Sequence, residues 1–160
     1  MTNEFKSFIK ISIIKKINKT NLHLSEFSKD YLQNLIIDFL KSENIPEINK
    51  NELSFPILAD LYEKAFYSPP FNQFNEFRNL GDISLFVSGI FPEYITRRKS
   101  LVKKEYYIGM GSSAYLMTAR LVKIKELENL FDELSKNFSS LVNILNLFSK
   151  ETNVTKNFNI

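Results

Sequence analysis

The chain has 160 residues, which is short for two domains and long enough to bury one core, and its 15 Phe and 7 Tyr supply the material. It has no cysteine and a single histidine, which excludes disulfides, thiolate catalysis and finger-type zinc sites and leaves any imidazole role to His23. A formal net charge of +3 is weaker than the field of a dedicated nucleic-acid binder, so nucleic acid is not an indicated partner.

Met1 to Lys10 carries Glu4, Lys6 and Lys10 and no leader-like apolar run. No stretch approaches the ~20 apolar residues that a membrane-spanning helix needs, so the expectation is a cytoplasmic protein with no membrane span. Within Phe5 to Ile17, the set Phe5, Phe8, Ile9, Ile13 and Ile17 suits a helix, while Ile9, Ile11 and Ile13 alternate as in a strand; helix is favoured and the ambiguity stands. Between Ser25 and Ser42, Leu24, Phe27, Tyr31, Leu35, Phe39 and Leu40 step by threes and fours, with Ser25 or Ser28 to cap the start. Asn44 to Asn51, around Pro46, reads as a loop.

Ser54 and Pro56 open the next helix, whose stripe is Leu58, Leu61, Tyr62, Ala65 and Phe66 and which stops before Pro69 and Pro70. From Phe71 to Phe91 one stripe runs through Gly81 until Pro92 ends it. Gly81 and Gly89 would each cost roughly 1 kcal/mol there relative to alanine, which points to another segment pressed close. Glu93 to Lys104 is a basic connector, followed by a helix over about 105 to 122 that is interrupted by Gly109, Gly111, Ser112, Ser113 and Ala114. The last helix, about Lys125 to Lys150, repeats Leu127, Phe131, Leu134, Phe138, Leu141, Leu145 and Phe148 as a heptad seam. Leu130, Val142 and Ile144 widen that stripe, which favours packing in a bundle over a seam for a second subunit. A polar tail from about 152 should fray. The fold class is therefore all-α: residues 1–160 form a single compact bundle of about five or six helices.

Every glycine (Gly81, Gly89, Gly109, Gly111) and every arginine (Arg78, Arg97, Arg98, Arg120) lies between 78 and 120, which marks where special geometry is concentrated. His23, between Leu22 and Leu24 with no aspartate beside it, reads as a surface or capping residue. The Glu-x-x-His pairs of di-iron bundles are missing. Gly109, Gly111 and Ala114 fit the G-x-G-x-x-A dinucleotide fingerprint, weakly, because the flanks read as helix. Arg97, Arg98, Lys99, Lys103 and Lys104, with Tyr94, Tyr106 and Tyr107 to stack, form a candidate phosphate grip whose commoner meaning is a solvated loop. Asp82 is either the N-cap of a second helical piece or the ion-pair partner of Arg78, Arg97 or Arg98. No residue is assigned to catalysis, to a cofactor or to a metal. The candidate motif, as a binding element or as close packing, comprises Arg78, Gly81, Asp82, Gly89, Pro92, Arg97, Arg98, Tyr106, Tyr107, Gly109, Met110, Gly111 and Tyr115.

The runs RNLGDISLFVSGIFPEYITRR from Arg78 and YYIGMGSSAY from Tyr106 carry the patterns GD-x-x-LF-x-x-G-x-FP and YY-x-x-MG-x-x-AY. On these motifs the chain, from about Leu24 to Phe148, resembles a family of uncharacterised bacterial helical proteins. The resemblance implies a bacterial origin and a shared fold unit, with no activity attached. The leading expectation is a non-enzymatic protein acting through a protein partner or as a homodimer. The alternatives are a small-ligand or anion binder, enzymatic or not, using residues 78–117, and a weak nucleic-acid binder through 97–104.

Overall fold

Thr2 and Ser25 each turn a side-chain oxygen onto the amide three residues ahead, that of Phe5 and that of Ser28. Each thereby satisfies one orphan donor and starts a helix, α1 (Asn3–Lys19) and α2 (Glu26–Leu40). The computed structural model describes residues 1–41, 57–97 and 103–157, and all regular structure among them is helical. The remaining elements are α3 (Leu58–Tyr67), α4 (Pro70–Ile90), α5 (Pro92–Arg97), α6 (Lys104–Leu121), α7 (Lys125–Lys136), α8 (Phe138–Thr152) and a closing 3-10 turn, Val154–Asn157. The all-α class stands, with eight helices among the described residues against the five or six expected.

The ambiguous N-terminal segment is helical. Ile9, Ile13 and Ile17 share one sealed stripe, whereas Ile11, the residue that suggested strand alternation, faces out. Two departures account for the extra helices. The connector expected after Pro92 begins as α5, with Pro92 at its first position, where a missing N–H leaves no bond unmade. The long C-terminal helix breaks at Asn137, whose backbone N–H and Nδ2 both donate to the Glu133 carbonyl (3.1 and 2.8 Å) while its own carbonyl accepts from Leu141 N–H (2.9 Å). Leu134 and Phe138 remain four residues apart across the break, so hydrophobic spacing gives no sign of it. From Phe131 to Phe148 the seam residues are all buried inside the chain, as bundle packing requires.

Two further expectations are corrected. α6 runs through Gly109 to Ala114 without interruption, because these residues keep helical geometry and none of the glycines has positive φ. The tail does not simply fray: Asn153 turns at φ 53° and delivers Val154 into the core. Ser54, Pro56 and the Asn44 to Asn51 loop lie outside the described residues.

α4 is the central helix, packed against α2, α3, α6 and α8, and every residue from Ile83 to Phe91 is buried. A buried helix end must find partners for its last four carbonyls. Here Phe91 N–H bonds the Val87 carbonyl, Asn146 Nδ2 of α8 donates to both Ser88 (2.8 Å) and Gly89 (2.7 Å), and Ser149 Oγ donates to Ile90 (2.7 Å). Gly89 makes this capping possible, since a Cβ there would fall 2.7 Å from Leu145 Cβ. α6 joins the same core through Ser84 Oγ, which donates to the Tyr107 carbonyl, and through a reciprocal pair in which Ser112 Oγ and Ser135 Oγ each donate to the other residue's carbonyl.

Candidate functional site

α2, α4 and α6 meet at one carboxylate. Asp82, in the middle of α4, accepts hydrogen bonds on a single oxygen, Oδ1, from Tyr31 Oη of α2 and from Tyr115 Oη of α6, both at 2.7 Å. Gly81 leaves room for the Tyr115 ring, which is fully buried. Phe131 of α7 backs both phenols, with ring centroids 5.5 Å from Tyr31 and 5.7 Å from Tyr115. Buried phenols need an acceptor, and one oxygen serves two of them.

The expectation that Asp82 caps a helix or pairs with Arg78 is corrected: it lies inside an unbroken helix, and none of the ion pairs among the described residues includes it. Its other expected partners, the Arg97 side chain and Arg98, lie outside the described residues. Arg78 stands one turn away on the same face of α4, its guanidinium 5.8 Å from the centroid of the Phe74 ring.

The second carboxylate oxygen, Oδ2, accepts no hydrogen bond from the described residues. Every fully buried side-chain oxygen or nitrogen among the described residues does have a partner, so Oδ2 is open to solvent. Asp82 lines a cleft of about 550 Å³ between α2 and α4. α2 lines the cleft with Phe27, Leu35 and Phe39 and with the polar residues Asp30, Tyr31, Asn34 and Asp38, while α4 contributes Arg78 and Asp82. Asp38 pairs with Lys41 at 2.9 Å; Asp30 forms no ion pair among the described residues.

Burial pushes the Asp82 carboxyl up to about 6, against the pull of its two phenol hydrogen bonds and of Arg78. Tyr31 and Tyr115 are both raised above the ordinary phenol range, first by burial and then by the neighbouring Asp82 charge. At neutral pH the centre is therefore a carboxylate held by two neutral donors. No group of three or more acidic, histidine or cysteine side chains among the described residues is close enough to hold a metal ion.

The structure brings together Arg78, Gly81, Asp82 and Tyr115 and disperses the other candidates. Gly89 and Pro92 lie at the far end of α4, and Gly111 packs against Phe138. Tyr107 is buried, Met110 is half-buried against the core, Tyr106 is exposed, and Gly109 has no described residue within 4 Å of where a Cβ would stand. Arg97 ends α5; its side chain and all of Arg98 lie outside the described residues. The dinucleotide reading of Gly109, Gly111 and Ala114 fails, because they sit inside α6 and the stretch before them that would have to be a strand, Glu105 to Ile108, is helical too. His23 is exposed.

The largest omission from the sequence reading is Tyr31, together with Asp30, Asn34 and Asp38. Phe27, Tyr31, Leu35 and Phe39 read as the buried face of α2, yet that face is centred on Ser28, Leu32, Leu35 and Ile36, with Phe27 half exposed at the cleft edge. A signal was present: Asp30, Asn34 and Asp38 recur every four residues beside an aromatic stripe. No protein-family model, curated protein or solved structure matches this chain at a significant level.

Proposed function

We propose that the protein is a non-enzymatic small-ligand binder whose site is the α2–α4 cleft. The observation that carries this reading is the division of labour on Asp82, which lines the cleft: Oδ1 is fixed by two phenols and Oδ2 is left free. A carboxylate serving only the fold would gain by having all its lone pairs satisfied, and desolvating it is unfavourable. A carboxylate with one oxygen fixed by two phenols, one of them sealed in the core, and the other oxygen open, is the arrangement of a preorganised binding group. Both phenols are held far from ionisation, which suits positioning rather than proton transfer. The resemblance motifs support the same place, since the Gly-Asp of the first and the final Tyr of the second are Gly81, Asp82 and Tyr115, which touch.

The test is a set of thermal melts against small cations, zwitterions and anions, run on the native chain and on Asn34→Trp, which fills the cleft from an exposed position. At least one class should raise the native melting temperature and leave the variant unmoved. Equal shifts in both proteins, or none in either, would refute the cleft as the site.

One observation favours a second reading, association with a second copy of the chain. Phe66, Tyr67 and Phe71 are 55%, 76% and 80% exposed; Phe66 meets the rings of Tyr62 and Tyr67 at the end of α3, and Phe71 stands at the start of α4. The heptad seam is buried within the chain from Phe131 to Phe148, so that corner is the surface through which a homodimer would form. Sedimentation should then give a dimer mass that reverts to a monomer in Tyr67→Ser/Phe71→Ser; a monomeric native chain would rule this reading out.

A further inference from the structure

We infer that the occupant of the cleft is a linear organic polycation, an amine with two or more ammonium groups joined by methylene chains. The inference rests on the cleft reading above and assigns its ligand class, in place of the anion that the arginines of the sequence suggested.

Three observations carry it. Among the described residues the lining holds three carboxylates, Asp30, Asp38 and Asp82, against one guanidinium, Arg78. That guanidinium already lies over the Phe74 ring, and an anion reaching it would meet the three carboxylates as well. Second, Asp82 Oδ2 is a free acceptor, and an ammonium is a group with donors only, so the two match without leaving an unpaired polar atom.

Third, the charges are spread out. Asp30 and Asp38 are eight residues apart on α2, which is about 12 Å along a helix. The spacing is too wide to chelate a metal ion, consistent with the absence of a metal-competent cluster among the described residues. It fits separate ammonium groups along one molecule. Phe27, Leu35 and Phe39 lie in the same lining and offer apolar surface to the methylenes between those groups. Lys41 neutralises part of Asp38, which leaves Asp30 and Asp82 as the stronger anchors. The chain as a whole carries +3, so it repels polycations in general, and any binding must come from this local reversal of sign.

The experiment is calorimetric titration of the full chain at neutral pH with spermidine, putrescine, succinate and inorganic phosphate. Spermidine should bind, more tightly than putrescine, and neither anion should. Asp82→Asn keeps an oxygen for both phenols while removing the charge, and should weaken spermidine about tenfold. Asp30→Asn/Asp38→Asn alters exposed positions that leave the fold intact, and should weaken it about fivefold. Arg78→Gln, by removing the opposing cation, should tighten it. Binding of succinate or phosphate without spermidine would overturn the polycation class while keeping the cleft as a site. Spermidine binding that is unchanged in Asp30→Asn/Asp38→Asn would overturn the inference as well. Failure of every probe would overturn the polycation class, and the melts against the wider set on the native chain and Asn34→Trp then decide the cleft reading separately.

Discussion

The ring of Tyr115 occupies the space that a side chain at Gly81 would need: a Cβ there would fall 2.5 Å from Tyr115 Cδ1 and Cε1. That contact places the phenol on the next residue, Asp82, so glycine at 81 is part of the site's construction as much as of helix packing. Gly81→Ala should therefore destabilise the chain although alanine is the better helix former. The gain of about 1 kcal/mol in propensity is outweighed by overpacking worth up to about 3 kcal/mol. Gly109, where a Cβ meets nothing among the described residues, is the control. Gly109→Ala should stabilise by about 1 kcal/mol in the same urea titration.

Asp82 links stability to pH with a sign opposite to that of a salt-bridged aspartate. Its carboxyl keeps a proton up to about pH 6 in the folded chain, against 3.8 for an unperturbed aspartate. The protonated form therefore favours the fold fully below about pH 4, and that contribution declines as the pH rises and is gone above about 6, a change of about 3 kcal/mol. Asp82→Asn removes this dependence. Urea midpoints measured from pH 4 to pH 7 should show the native chain losing stability relative to Asp82→Asn as the pH rises; a constant difference between the two would contradict the assignment.

Tyr115→Phe deletes one of the two donors to Oδ1 without changing ring packing. The loss should be about 1–3 kcal/mol, because a charged acceptor is left under-satisfied. The Asp82 carboxyl should also titrate higher than in the native chain, since the phenol bond pulls it down. Carbon NMR of that carboxyl reads the second effect directly. An unchanged titration in Tyr115→Phe would show that the bond is not made in solution.

Much of this fold is legible in the sequence because helices bury a periodic stripe. The spacing of α4 through Gly81 and Gly89 shows a single helix, and its two tolerated glycines show that something presses close. What presses is not legible: Tyr115 and Leu145 reach those glycines from 34 and 56 residues further along the chain, by tertiary packing alone. The break at Asn137 is hidden for another reason, since it preserves the phase of the seam on both sides. Half of the candidate site was visible as Arg78, Gly81, Asp82 and Tyr115. The α2 half was not, because Tyr31 counts as one more aromatic in a helical stripe until the fold lays its hydroxyl on Asp82, 51 residues away.

The most direct measurement is an amide chemical-shift map of the isotope-labelled full chain during a spermidine titration. The account predicts saturable shifts that cluster on Phe27 to Phe39 of α2 and on Arg78 to Asp82 of α4. Shifts centred instead on the Tyr62 to Phe71 corner, or scattered without saturation, would contradict it.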